Sequence, residues 1–257
     1  MTSFVDVDGL RIRIERAGTG QPVLLLHGWG ASADTMRMIL EDLARTYDVA
    51  AIDFPGHGKS TAPPEPWRVS DFTALTLKVM DHLTFKRAHV IAHSFGGRVV
   101  IKLAAENPAR VSRLVLTGAA GLPPQRTQGQ RARLKVASIG KRVKRTLGDS
   151  GVSRWLESRW VHHVASADYQ AASGTMRGTL VNIVAEDLSD WLPRIQAPTL
   201  LIWGDEDRDT PLSSGRRMAS LIPGSELVVL EGAGHFAYAE QYSKFRLHLQ
   251  RFLRENA

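Results

Sequence analysis

The sequence predicts an α/β architecture, a mostly parallel sheet with helices on both faces, built as one large domain with an inserted helical segment. Two observations carry this. Short, continuous apolar runs at 22–26, 48–52, 88–92, 114–116, 198–203 and 227–230 read as strands buried on both faces. Between most of them lie segments whose apolar residues recur at helical spacing. A third observation marks the insertion: between about 121 and 194 the alternation stops, and the chain becomes basic, glycine-spaced and helical in pattern. The core is therefore expected over 1–120 and 195–257, with 121–194 lying over the strand ends, where such sheets place their sites.

Taken in order, Phe4, Val7, Leu10, Ile12 and Ile14 partly alternate with polar residues around Asp8-Gly9, the pattern of an N-terminal hairpin. The run 22–26 ends in His27-Gly28-Trp29-Gly30, and the run 48–52 ends in Asp53-Phe54-Pro55-Gly56-His57-Gly58-Lys59-Ser60. Phe72, Leu75, Val79 and Leu83 then follow at helical spacing. The strand at 88–92 leads through His93-Ser94-Phe95-Gly96-Gly97 into a helix that reaches about Asn107-Pro108. After the insertion come a strand at 198–203, a helix at 212–221, a strand at 227–230 and a last helix from about 240 to 253.

Composition bounds the function. The 257 residues are 43% apolar, enough for a sizeable core, and include no cysteine, which excludes disulfides and thiolate metal sites. The N-terminus has no basic-then-apolar signal pattern, and no stretch reaches the roughly 18 apolar residues of a membrane span. A cytoplasmic protein is the expectation. The net charge of +7 is concentrated in 126–145, where Arg126, Arg131, Arg133, Lys135, Lys141, Arg142, Lys144 and Arg145 stand without an acid, so the rest sums to −1. That distribution argues against a nucleic-acid binder. The patch reads first as a solvated face of a helix whose Leu134, Ile139, Val143 and Leu147 turn inward, and second as attraction for an anionic substrate or acidic membrane surface.

The chemistry centres on Ser94. A strand turning sharply into a helix needs small residues beside the turn, and Ala92 and Gly96 flank the serine two positions away on either side. This is a nucleophile elbow, G-x-S-x-G with alanine at the first glycine. Serine needs a base with a pKa near 7, hence histidine. His235 lies in Glu231-Gly232-Ala233-Gly234-His235-Phe236, a glycine-rich loop directly after the last strand and so at the same sheet end as Ser94. His93 points away from the serine and reads as packing; His27 and His57 read as loop-shaping. His82, His89, His162, His163 and His248 carry no partner signal. The histidine in turn needs a carboxylate. Four acids compete in Gly204-Asp205-Glu206-Asp207-Arg208-Asp209; Asp207 is preferred, because a turn at Gly204 brings the third residue round toward the sheet end, and Asp205 is its main rival. Oxyanion donors are expected from the backbone amides of Phe95, at the positive end of a helix, and Trp29.

The stretches HGWG, DFPGHGKS, AHSFGG, GDED and GAGH, in this order and covering nearly the whole chain outside the insertion, resemble the α/β-hydrolase superfamily. The resemblance implies an eight-stranded sheet and a helical lid at the insertion; the fold itself does not choose the substrate, and the expectation is a small-molecule ester with no cofactor or metal. The resemblance also implies Ser94, Asp207 and His235 as the triad, with the Trp29 and Phe95 amides as the oxyanion hole. A serine at position 94 argues against epoxide hydrolase or dehalogenase chemistry. HGWG lacks the Gly-Pro-Gly continuation of ring-cleavage C–C hydrolases. Lactonase, perhydrolase and C–C hydrolase chemistry can run on the same triad, and some members with this triad serve as ligand receptors.

Overall fold

Eight strands form one sheet in the order β1-β2-β4-β3-β5-β6-β7-β8. The structure is a computed structural model and describes residues 1–123 and 167–254. The strands are β1 (Thr2–Val7), β2 (Leu10–Ala17), β3 (Gln21–Leu26), β4 (Tyr47–Ile52), β5 (Ala88–His93), β6 (Val111–Thr117), β7 (Thr199–Gly204) and β8 (Glu226–Leu230). The pairs β1–β2 and β2–β4 are antiparallel, and every pairing from β4 through β3 to β8 is parallel. The expected hairpin turns at Asp8 (φ 53°) and Gly9 (φ 78°), two successive positive-φ residues of the kind a tight two-residue connection requires.

The continuous apolar runs are explained by burial on both sheet faces. Val23–Leu26 and all of Ala88–Ala92 except His89 are fully inaccessible, and Ile91, Val115, Leu200 and Ile202 pack into one core with the C-terminal helix residues Phe245 and Leu249. Helices connect the parallel strands: α1 (Arg37–Leu43), α2 (Val69–His82) and α3 (Phe95–Glu106) before the insertion. After it come α4 (Ala167–Ala171), α5 (Gly174–Ala185), α6 (Leu212–Leu221), the single turn α7 (Ala237–Glu240) and α8 (Tyr242–Arg254). The last helix expected from the sequence is thus preceded by a separate turn, α7, broken from α8 at Gln241.

One compact unit takes in Met1–Leu122 and the chain from Gly174 onward; α4 belongs to a second. The stretch from Gly174 to 194, placed with the insertion by its sequence pattern, lies in the unit of the sheet. There Trp67 N–H donates to Thr179 Oγ1 (2.9 Å) and Leu188 N–H to the Gly121 carbonyl (2.9 Å). The basic residues of 126–145 lie outside the described residues. Among the described residues, no helix is long and apolar enough to cross a membrane.

Candidate active site

Because β5, β7 and β8 run parallel, the loops that follow them emerge at one end of the sheet. Ser94 stands between β5 and α3 at φ 49°, ψ −111°, a conformation that a side chain disfavours. Backbone hydrogen bonds hold it there. Ser94 N–H donates to the Thr117 carbonyl (3.2 Å), and the Ser94 carbonyl accepts from Gly97 (3.0 Å) and Ala120 (3.0 Å). The turn brings α3 against β3 so closely that a Cβ on Gly96 would lie 2.5 Å from the Leu26 carbonyl oxygen. Ala92 has no positive φ, so alanine fits where the motif usually has glycine. The serine is half-buried, and among the described residues its hydroxyl has no hydrogen-bond partner.

His235 and Asp207 meet directly: Nδ1 lies 2.9 Å from Oδ2. The Asp207 side chain is fully buried, and its turn depends on Gly204, where a Cβ would sit 2.2 Å from the Ala233 carbonyl oxygen. Oδ1 accepts the amides of Asp209 and Thr210, both at 2.9 Å, and the Thr210 hydroxyl lies 2.8 Å from Oδ2. Burial pushes the Asp207 carboxyl up, but hydrogen bonds from His235 and Thr210 outweigh it and hold it below the ordinary carboxylate value. Asp205, the rival, is exposed and instead accepts the Gly232 amide at 2.7 Å, stapling the histidine loop from outside. Asp207, Asp209 and His235 bring ligand-type atoms within 4.8 Å, but Asp207 Oδ2 and His235 Nδ1 face each other in a hydrogen bond.

The two expected oxyanion amides come from loops that the structure braces. The Gly28 carbonyl accepts from His27 Nδ1 (2.7 Å) and from the Ala31 amide (3.2 Å). The Gly28–Trp29 peptide is trans and planar, so the Trp29 N–H points the opposite way from that carbonyl. His27 Nε2 accepts the Phe54 amide at 3.0 Å, which ties the loop after β3 to the loop after β4. Full burial drives the His27 pKa down to about 3, so it stays neutral with its proton on Nδ1. Phe95 N–H opens α3 and, like any first-turn amide, has no intrahelical acceptor. The Trp29 ring stands edge-on to His57 (4.6 Å) and Phe95 (5.5 Å).

Three polar residues here do more than the sequence suggested. Asp53 is buried and accepts the amides of Ala33 (2.6 Å) and Lys59 (2.8 Å) and Arg13 Nη1 (3.3 Å), bracing the same two loops. His93 packs as expected but also donates Nε2–H to the His235 carbonyl (3.0 Å). Glu240 accepts the amides on either side of His235, from Gly234 (2.6 Å) and Phe236 (3.1 Å). An acid five residues after the loop histidine was the only signal for it. His57 behaves as a loop-shaping residue, with Nδ1 on the Pro55 carbonyl (3.0 Å).

The chain belongs to the α/β hydrolase fold family, whose model matches residues 21–242. It is 29% identical over 97% of its length, and 68% of the relative's, to the dihydrolipoyllysine-residue acetyltransferase component of the acetoin cleaving system of Cupriavidus necator. It is 28% identical, over 93% of this chain and 90% of the other, to a 2-hydroxy-6-oxo-6-phenylhexa-2,4-dienoate hydrolase of Burkholderia cepacia. Among solved structures it resembles an esterase from Exiguobacterium antarcticum, with a TM-score of 0.76 and 25% identity over 99% of this chain and 100% of the other.

Proposed function

We propose that the protein is a serine hydrolase that cleaves a small carboxylic ester through Ser94, His235 and Asp207 by way of an acyl-enzyme. The observation that carries the reading is the buried Asp207 carboxylate 2.9 Å from His235 Nδ1, at the sheet end where Ser94 is held in a strained elbow. That contact puts the proton on Nδ1 and leaves Nε2 as the base. Ser94 Oγ attacks the ester carbonyl and His235 Nε2 takes its proton. The amides of Trp29 and Phe95 receive the developing oxyanion. The imidazolium, paired with Asp207, returns the proton to the leaving alcohol. Water then repeats the sequence on the acyl-enzyme and frees the acid. The helical lid over 121–194 belongs to the same proposal and is supported by the family resemblance and the break in the strand–helix pattern.

The similarity to an esterase supports the ester reading, and the acetyltransferase component is a second relative whose name involves an acyl group. The similarity to a dienoate hydrolase supports the alternative, C–C bond hydrolysis on the same triad. A series of p-nitrophenyl esters of increasing acyl length, run beside a 2-hydroxy-6-oxo-dienoate, separates them. Repeated turnover of an ester, abolished in Ser94→Ala, is the expected result. Turnover confined to the dienoate would transfer the assignment to C–C cleavage. A single burst without turnover would make the protein a receptor.

A further inference from the structure

The imidazole of His93 is 1% exposed, and its contacts are unusual for a packing residue. Nε2–H donates to the His235 carbonyl at 3.0 Å, a bond between residues 142 positions apart in the chain. The two rings lie 4.7 Å apart, with Tyr238 (5.0 Å) and Phe236 (5.0 Å) around His93. Among the described residues Nδ1 is buried without a hydrogen-bond partner, and it faces the loop after β3, where a Cβ on Gly28 would come within 2.9 Å of it. A buried imidazole with one nitrogen unsatisfied is a poor filler, since an apolar ring would occupy the same space without leaving a polar atom dry. Its one satisfied nitrogen is aimed at the backbone of the residue that faces Asp207.

His93 is also the residue before Ser94. It ends β5, a strand with all six residues buried, and it is registered against Thr117 of β6. Its position is therefore set by the sheet. His235, by contrast, lies in a loop between β8 and α7. That loop is gripped on its outer side, where the exposed Glu240 carboxylate holds the Gly234 and Phe236 amides, and on its inner side by His93. We infer that His93 is a positioning residue: through its bond to the His235 carbonyl, it fixes the separation between the elbow and the histidine loop. The catalytic consequence rests on the triad proposed above; the mechanical part, that His93 holds the loop, does not. His93 touches neither substrate nor reacting atom, so its effect is on placement, where an error of about 1 Å costs on the order of 100-fold in rate.

The full-length protein is tested as three variants. His93→Phe keeps the ring volume without the donor. His93→Gln carries an amide N–H long enough to reach the position of Nε2. His93→Asn keeps a donor that falls short of it and stands in for the Phe variant should that one not fold. Two readouts are taken: hydrogen–deuterium exchange of the peptide 231–241, and kcat and KM for p-nitrophenyl butyrate. Loss of the donor is expected to speed exchange at 234–238 and lower kcat by about 10- to 100-fold with KM within about threefold. The Gln variant should stay within about fivefold of the parent in kcat, with near-parent exchange. Parent-like exchange in both donor-loss variants, or a Gln variant as impaired as Phe, overturns the inference and returns His93 to packing. Labelling of Ser94 by a fluorophosphonate, read by mass spectrometry, keeps the two ideas apart. An unlabelled, inactive parent refutes the hydrolase reading, and exchange alone then decides whether His93 holds the loop.

Discussion

Replacing Ser94 with glycine should make the protein more stable than replacing it with alanine, while both changes remove activity. At φ 49°, ψ −111° the serine is near the mirror image of an ordinary extended conformation, which glycine enters freely and a residue with a Cβ does not. Backbone strain of this kind costs about 1–3 kcal/mol and persists only where the surroundings over-determine it. Here they do, through the bonds of Ser94 to Thr117, Gly97 and Ala120 and the bond from Gly96 to the His27 carbonyl. Alanine keeps the Cβ and therefore the strain. Glycine relieves it but adds freedom to the unfolded chain, which offsets about 0.5–1 kcal/mol. The net advantage of glycine over alanine is then about 0.5–2 kcal/mol, and each kcal/mol raises the thermal midpoint by about 2–4 °C in a protein of this size. Urea unfolding of parent and both variants at one pH reads it, alongside hydrolysis of p-nitrophenyl butyrate, which should fall by about 10³-fold or more in each. A glycine variant no more stable than the alanine variant would refute the idea that the elbow stores strain. Activity within tenfold of the parent in either would refute Ser94 as the nucleophile.

Asp207→Asn should lower turnover by up to about 10⁴-fold, because an amide favours the wrong tautomer of His235, whereas Asp205→Asn, which only weakens the staple to Gly232, should stay near the parent; steady-state rates on one ester decide. Gly28→Ala places a Cβ 2.9 Å from His93 Nδ1 and 3.2 Å from Ser94 Cβ, so it should lower kcat more than it raises KM and cost about 1–3 kcal/mol by overpacking, readable by kinetics and urea midpoints. Burial holds His27 and His93 down to about 3, so both are neutral in the folded protein. The unfolded chain takes up their protons below about pH 6.5, so stability should fall on acidification through the window between 6.5 and 3. From pH 7 to pH 5 the loss is about 2 kcal/mol for each, and urea midpoints unchanged over that range would contradict their burial as neutral groups.

Local pattern carried the parts of this molecule whose cause is local. Asp8-Gly9 announces a hairpin because two positive-φ positions are needed there, and the unbroken apolar run from Ala88 to Ala92 announces a strand covered on both faces. The proximity of Asp207 and His235 could be read from chain order, because consecutive parallel strands deliver their C-terminal loops to one edge. The choice between Asp207 and Asp205 rested only on how Gly204 turns the chain, and in the structure Asp207 is the one that meets His235. Glu240 and the second duty of His93 left no comparable trace. Both act on backbone groups of the His235 loop, and a hydrogen bond to a carbonyl 142 residues away puts no constraint on the neighbouring sequence. The residues from Gly174 to 194 read as part of the insertion because their pattern is helical, and in the structure they share one compact unit with the sheet.

The residues that looked bland explain why five short motifs occur together. Ser94, its expected oxyanion donors, its expected base and Asp207 sit on four separate loops, and loops are the least constrained parts of a sheet protein. His27 joins the loop after β3 to the loop after β4 through Phe54, and Asp53 joins them a second time through Ala33 and Lys59. The elbow is tied to the first of these through the Gly96 amide on the His27 carbonyl, and to the end of β6 and the residues after it through Thr117 and Ala120. His93 then joins the elbow to the His235 loop, and Thr210, within 2.9 Å of the Gly118 carbonyl, joins the β6 end to the Asp207 turn. HGWG, AHSFGG, GDED and GAGH thus each contribute at least one residue of the candidate site, whereas DFPGHGKS contributes only residues that bind a neighbouring loop. Loss of a brace should therefore move several site atoms at once, while loss of Ser94 itself moves none, which is why a serine variant can be inactive yet at least as stable as the parent.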